Sequence, residues 1–111
     1  MAGNWLTLRS RKLNAVEKIS IGIARLRKDL EDYARTTGGT FLIYGSAARG
    51  DYGFDSDVDL IIDFPIEKES EAWGFVENEC RKVGLVPDVR PKRMCGKRFL
   101  DHIAMDAETI S

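Results

Sequence analysis

Residues 40–64 confine this chain to a narrow set of folds. Two short β-branched and aromatic runs, TFLIY (40–44) and VDLIIDF (58–64), flank a segment rich in Gly, Ser, Ala and Asp. Such runs, bounded by turn residues, read as buried strands, and Pro65 ends the second. The connection from Gly45 to Ser56 reads as a loop with room for one helical turn. The segment thus follows one strand directly, through Gly-Ser, and runs into another that opens on Asp-Val-Asp.

The rest of the chain supplies covering elements. Leu13, Val16, Ile19, Ile23, Leu26 and Leu30 recur at three- and four-residue steps, which predicts a helix from about Leu13. Gly38-Gly39 is its stop, and Gly22 inside it marks a close packing point. Residues 67–83 read as a second helix, with Ala72, Phe75, Val76, Cys80 and Val83 inward and Gly84 as terminator. LVPDVR (85–90) is a third strand, placed at an edge by Pro87. Phe99, Ile103, Ala107 and Ile110 predict a last helix over 99–110. The expected order is α-β-β-α-β-α: an α/β or α+β mixed sheet with helices packed on it. Residues 1–12 read as an irregular basic arm, and 13–111 as one domain.

With 111 residues, 43% of them hydrophobic, the chain suits one compact domain with a modest core, for which a partner or an oligomer is reasonable. The net charge of -1 excludes a general polyanion binder. Positive charge gathers locally, in Arg9, Arg11 and Lys12 and again from Arg90 to Arg98. The second cluster could meet a triphosphate tail, a nucleic acid or an acidic protein, and a solvated loop is the simpler reading. Cys80 and Cys95 lack CxxC spacing and a neighbouring His, which points weakly to a reducing compartment. The start MAGNWLTLRSRKLN has no apolar run of signal-peptide type, and no run reaches membrane-span length. The expectation is a cytoplasmic chain without membrane contact.

The chemistry lies in GSAARGDYGFDSDVDLIIDF, residues 45–64. A Gly-Ser turn lets backbone N–H groups approach an anion, and the Ser46 hydroxyl adds a donor. In a strand, residues i and i+2 share a face, roughly 7 Å apart, so Asp57 and Asp59 point together while Val58, Leu60 and Ile62 turn to the core. Paired carboxylates repel unless a cation or water stands between them, and hard oxygen donors favour magnesium, calcium or manganese over zinc. If the third strand lies beside the second, Asp88 completes a triad able to hold two metals about 3.5–4 Å apart for attack at phosphorus. Arg49 suits a phosphate contact or a salt bridge to Asp51 or Asp55. Asp63 continues the face as a solvated residue. His102 suits a surface or core role, and Trp5 and Trp73 suit packing or a partner.

Gly45-Ser46, ten intervening residues, then Asp57-Val58-Asp59 resemble the signature of the polymerase-β-like nucleotidyltransferase superfamily. GSAARG and SDVDL are similar to the minimal nucleotidyltransferases of prokaryotes. The resemblance implies a mixed sheet, ATP or another nucleoside triphosphate bound through Gly45 and Ser46, with Arg49 a further candidate for the nucleotide from the residue reading above, and magnesium, as two ions, held by Asp57, Asp59 and Asp88. It implies transfer of AMP, or another nucleoside monophosphate, to a hydroxyl. Many minimal members are antitoxins that adenylylate a tyrosine of a HEPN-domain toxin, so a HEPN toxin is the implied partner. Two alternatives remain: an antitoxin of weak activity that silences its toxin by binding alone, and transfer to a small molecule or an RNA end. The short chain disfavours the latter, having little room to hold a sizeable acceptor.

Overall fold

A computed structural model describes residues 2–50 and 57–111, with side chains from Ala15 onward. Helix α1 spans Ala2–Thr37, β1 Thr40–Tyr44, a one-turn helix α2 Ser46–Arg49, and β2 Asp57–Asp63. Helix α3 spans Ile66–Lys82 and β3 Val86–Pro91; a 3-10 turn at Lys92–Met94 leads to α4, Lys97–Ile103, and β4, Glu108–Ile110. The sheet order is β3-β2-β1-β4. β1 runs antiparallel to β2 and β4, while β2 and β3 are parallel. A parallel pair needs a crossover, and α3 provides it.

The apolar alternation sorts the layers. Phe41 and Ile43 of β1, Val58, Leu60 and Ile62 of β2, and Val89 of β3 fill one face of the sheet. Against them pack Ile23, Leu26, Leu30 and Ala34 of α1 and Ala72, Val76 and Cys80 of α3, all buried. Burial of the Cys80 thiol, followed by the nearby Glu79 and Glu77, pushes its pKa up to about 12, so it behaves as a core residue. Tyr33 stacks on Phe75 with centroids 4.1 Å apart and holds the two helices together. Gly22 is a packing point as expected: a Cβ there would lie 3.2 Å from the Val83 carbonyl oxygen. On the opposite face, α4 covers a smaller cluster of Tyr44, Ile61 and Ile103, with Leu42, Phe99 and Leu100 against it.

Two expectations need correction. Residues 2–12, read as an irregular arm, continue α1, which begins at Ala2. Extending a helix already nucleated by packing costs little, and this stretch holds no proline and several strong helix formers. The predicted helix over 99–110 stops at Ile103, and Glu108–Ile110 instead forms β4, pairing Phe41 with Ile110 and Ile43 with Glu108. Ile110 is buried in the main core through its place in β4, on the other face of the sheet from Ile103. The outer edge of β1 has backbone groups that need partners, and the tail supplies them.

Other boundaries follow the sequence closely. β1 occupies the anticipated residues, α1 ends one residue before Gly38, and β3 sits at the sheet edge. The loop reading of residues 51–56 lies outside the described residues, as does the side chain of Trp5. Trp73 packs, half-buried, against the main core. None of the described helices is long and apolar enough to cross a membrane.

The core placement carries a test. Leu30 is fully buried whereas Ile21, on the same helix, is 62% exposed. Leu30→Ala is expected to cost roughly 2–5 kcal/mol and Ile21→Ala less than about 0.5 kcal/mol in urea unfolding. Equal losses would contradict this packing of α1.

Candidate active site

The strand register assembles the acidic face. In the parallel pair, Asp59 stands directly beside Asp88, with Asp57 beside Val86 and Ile61 beside Arg90. Residues in lateral register share a face, and Asp57 and Asp59 share it by the two-residue period. The three carboxylates therefore stand together at the β2–β3 seam. Asp57 and Asp88 are exposed and Asp59 is half-buried.

Their mutual cost is visible at Asp59. Partial burial raises its pKa first; the neighbouring Asp88 and Asp57 carboxylates raise it further, and Arg90 opposes them. The Asp59 and Asp88 side chains are within hydrogen-bonding reach of each other. Asp88 also faces the Arg90 guanidinium at 3.9 Å. Among the described residues no three His, Cys, Asp or Glu side chains stand in an arrangement that would hold a metal ion. The donor set nonetheless suits a hard divalent cation: only carboxylate oxygens, like-charged, adjacent and open to solvent. Asp57, Asp59 and Asp88 are the residues that could hold it.

Gly45 belongs to the same arrangement. It sits at φ +72°, directly before α2, and a Cβ on it would lie 2.6 Å from the Asp59 carboxylate oxygen. Only glycine combines that backbone conformation with such close approach. The Gly45 carbonyl accepts the N–H groups of Ala48 and Arg49, so α2 starts at once with Ser46 half-buried at its first position. The opening N–H groups of a helix lack acceptors of their own and suit an anion. Arg27 of α1 braces this turn, donating to the Ala47 carbonyl and pairing with the Glu108 carboxylate of β4.

Arg49 pairs with Asp106, beyond α4, at 3.2 Å. Asp51 and Asp55, the partners suggested by the sequence, lie outside the described residues. Asp63 is partly exposed and pairs with Lys92. Much of the basic run is engaged within the fold: Arg93 forks onto Glu69 through Nε and Nη2, and Arg90 lies over the Phe99 ring. Lys97 and Arg98 are exposed on the first turn of α4.

Beside the carboxylates lies a cleft of about 230 Å³, whose lining includes Gly45, Asp59, Tyr44, Phe99, His102 and Ile103. Sequence reasoning missed Tyr44 and Phe99 as site residues. Tyr44 immediately precedes Gly45, and its register with Asp59 turns it toward the acidic face; adjacency to the Gly-Ser turn was the available signal. A larger hollow of about 580 Å³, lined in part by Asp29, Tyr33, Glu71 and Phe75, lies between α1 and α3. These helices cover the other face of the sheet, so that hollow is remote from the carboxylates.

Two outcomes test this geometry. Gly45→Ala is expected to destabilise the fold by about 1–3 kcal/mol through its positive φ with ψ -152°, and further through the clash with Asp59. Asp59→Ala should relieve only the second effect, so a double-mutant cycle in urea will be non-additive; strict additivity would deny the contact. Because the folded pKa of Asp59 is raised, ionising it opposes folding: stability falls as pH rises from the unfolded value through the folded one. Asp59→Asn should therefore melt higher than the parent at neutral pH. That gap should close once the medium is acid enough to protonate Asp59 in both states.

A family model described as a nucleotidyltransferase domain matches residues 23–107, from the packed part of α1 to the residue before β4. No curated protein and no solved structure matches the chain. The matched span holds Gly45, Ser46, Asp57, Asp59 and Asp88, and the four-stranded mixed sheet agrees with the small polymerase-β-like fold. With about three quarters of its length matched, this chain belongs to the nucleotidyltransferase domain family, in the polymerase-β-like superfamily.

Proposed function

We propose that the chain is a magnesium-dependent adenylyltransferase acting on a hydroxyl of a protein partner. The observation that carries this reading is the register of Asp59 with Asp88, with Asp57 on the same face. Asp57, Asp59 and Asp88 would hold magnesium. When bound, the ion would supply Lewis-acid stabilisation of charge at the phosphoryl oxygens and make the acceptor hydroxyl more acidic.

The residues of the chain divide the remaining work. The Gly45-Ser46 turn binds the triphosphate through backbone N–H groups and the Ser46 hydroxyl, with Arg49 available at its side. Asp88, at the open sheet edge, accepts the proton of the attacking hydroxyl. The acceptor oxygen bonds to the α-phosphorus as the bond from that phosphorus to the bridging oxygen breaks, and pyrophosphate leaves. Positioning and preorganised charge provide most of the acceleration in such chemistry.

The form of the site favours a protein acceptor. Asp57, at the start of β2, and Asp88, on the edge strand β3, are both exposed, so a side chain projecting from another protein can reach them without a closed acceptor pocket. A tyrosine of a HEPN-domain toxin is the acceptor we assign, with the chain acting as its antitoxin in the cytoplasm. Silencing by binding alone, without transfer, is the competing outcome.

The test is transfer from α-labelled ATP with magnesium, using the chain together with the product of its neighbouring gene. Label is expected on a tyrosine of that protein, falling by at least about a hundred-fold with Asp57→Ala and Asp59→Ala combined. Stable association of the two proteins without label from any nucleotide would remove the catalytic reading and leave a binding antitoxin.

A further inference from the structure

We propose that the cleft between the Gly45 turn and α4 seats the nucleobase of the donor nucleotide, with Phe99 as its stacking platform and His102 at its polar edge. The proposal deepens the nucleotidyl-transfer reading and rests on it. Size is the first argument. At about 230 Å³ the cleft is smaller than the roughly 300–1,000 Å³ that encloses a whole ligand. It admits one planar ring system, leaving sugar and phosphates outside.

Position is the second. The lining of the cleft joins Gly45 and Asp59, the groups assigned to phosphate and metal, to Phe99, His102 and Ile103 of α4. A nucleotide lying across the site meets carboxylates at its phosphates and an aromatic wall at its base.

Charge is the third. Away from Asp59, which is assigned to the metal, the charged groups of the lining are Asp106 and Arg49, and these pair with each other. That part of the cleft carries no net charge from them and suits a neutral ring. Nucleobases suit aromatic platforms because every base has a π-face.

The platform is already oriented. The Phe99 ring meets Tyr44 edge-on, at 84° and 5.7 Å between centroids. The Arg90 guanidinium lies 5.0 Å from its centroid, and Arg90 in turn faces Asp88. Phe99 is thus held to the strand that carries the third carboxylate. His102 is exposed on the same wall and offers a ring nitrogen to a base edge.

Calorimetric titration with magnesium compares two ligands: α,β-methylene-ATP, which cannot release pyrophosphate, and inorganic tripolyphosphate, which has no base. Phe99→Leu keeps an apolar side chain and loses the π-face; Phe99→Trp keeps the π-face; His102→Ala changes an exposed position. Phe99→Leu is expected to weaken the nucleotide analogue about ten-fold or more, His102→Ala to weaken it to a lesser degree, and Phe99→Trp to retain binding. Tripolyphosphate affinity should be unchanged in all three. Equal losses for both ligands, or no loss for the analogue in Phe99→Leu, would overturn the subsite. If the parent chain binds tripolyphosphate as tightly as the analogue, the subsite falls while the transfer reading stands. If it binds neither ligand, the transfer reading falls with it.

Discussion

Holding three carboxylates side by side is electrostatically unfavourable, and the rest of the fold is arranged around that constraint. Asp57, Asp59 and Asp88 cannot separate, because the backbone ladder between β2 and β3 fixes Asp59 opposite Asp88. The ladder in turn stands on the apolar reverse of the same strands: Val58, Leu60 and Val89, locked against α1 and α3. Alternation along a strand turns core burial on one face into enforced repulsion on the other. The raised pKa of Asp59 is its local signature. Sites of this kind combine structural cost with readiness for a cationic ligand.

The surrounding elements make the cluster specific. Gly45 brings backbone within contact distance of Asp59, where any side chain would intrude. Arg27 reaches from α1 to the Ala47 carbonyl and to Glu108, joining the turn to β4 and the long helix. On the other flank, Arg90 connects Asp88 to Phe99 and so to α4. One arginine ties the turn to α1 and β4, and another ties the aromatic wall to Asp88 on β3. Isolated surface ion pairs contribute little stability, so the value of these contacts lies in orientation.

How much was legible in the sequence depends on the range of the determining interaction. TFLIY announces β1 because five consecutive residues carry the pattern. Gly45-Ser46 and Asp57-Val58-Asp59 announce the site because turn geometry and a two-residue period are local rules. The tail was misread because Ile103, Ala107 and Ile110 fit helical spacing, while the strand pairing that turns Glu108–Ile110 into β4 comes from β1, far away in the chain. Residues 2–12 were misread because they lack a long apolar stripe, although their continuity with the packed half of α1 carries the helix through them. Phe99 and His102 carry no motif, and their association with the site is a matter of which face α4 covers, whereas Tyr44 comes with the Gly45 turn it precedes.

The sequence by itself determined the local chemistry: a glycine-serine turn between two strands, two aspartates on one strand face, and apolar positions that must turn inward. These follow from backbone period and side-chain volume, which act over a few residues. Tertiary structure alone decided that Asp88 lies beside Asp59, that Arg49 meets Asp106, and that α4 builds an aromatic wall over the acidic strands. Those pairings depend on strand order and helix docking, where many weak long-range contacts compete, and no short stretch of sequence encodes their outcome.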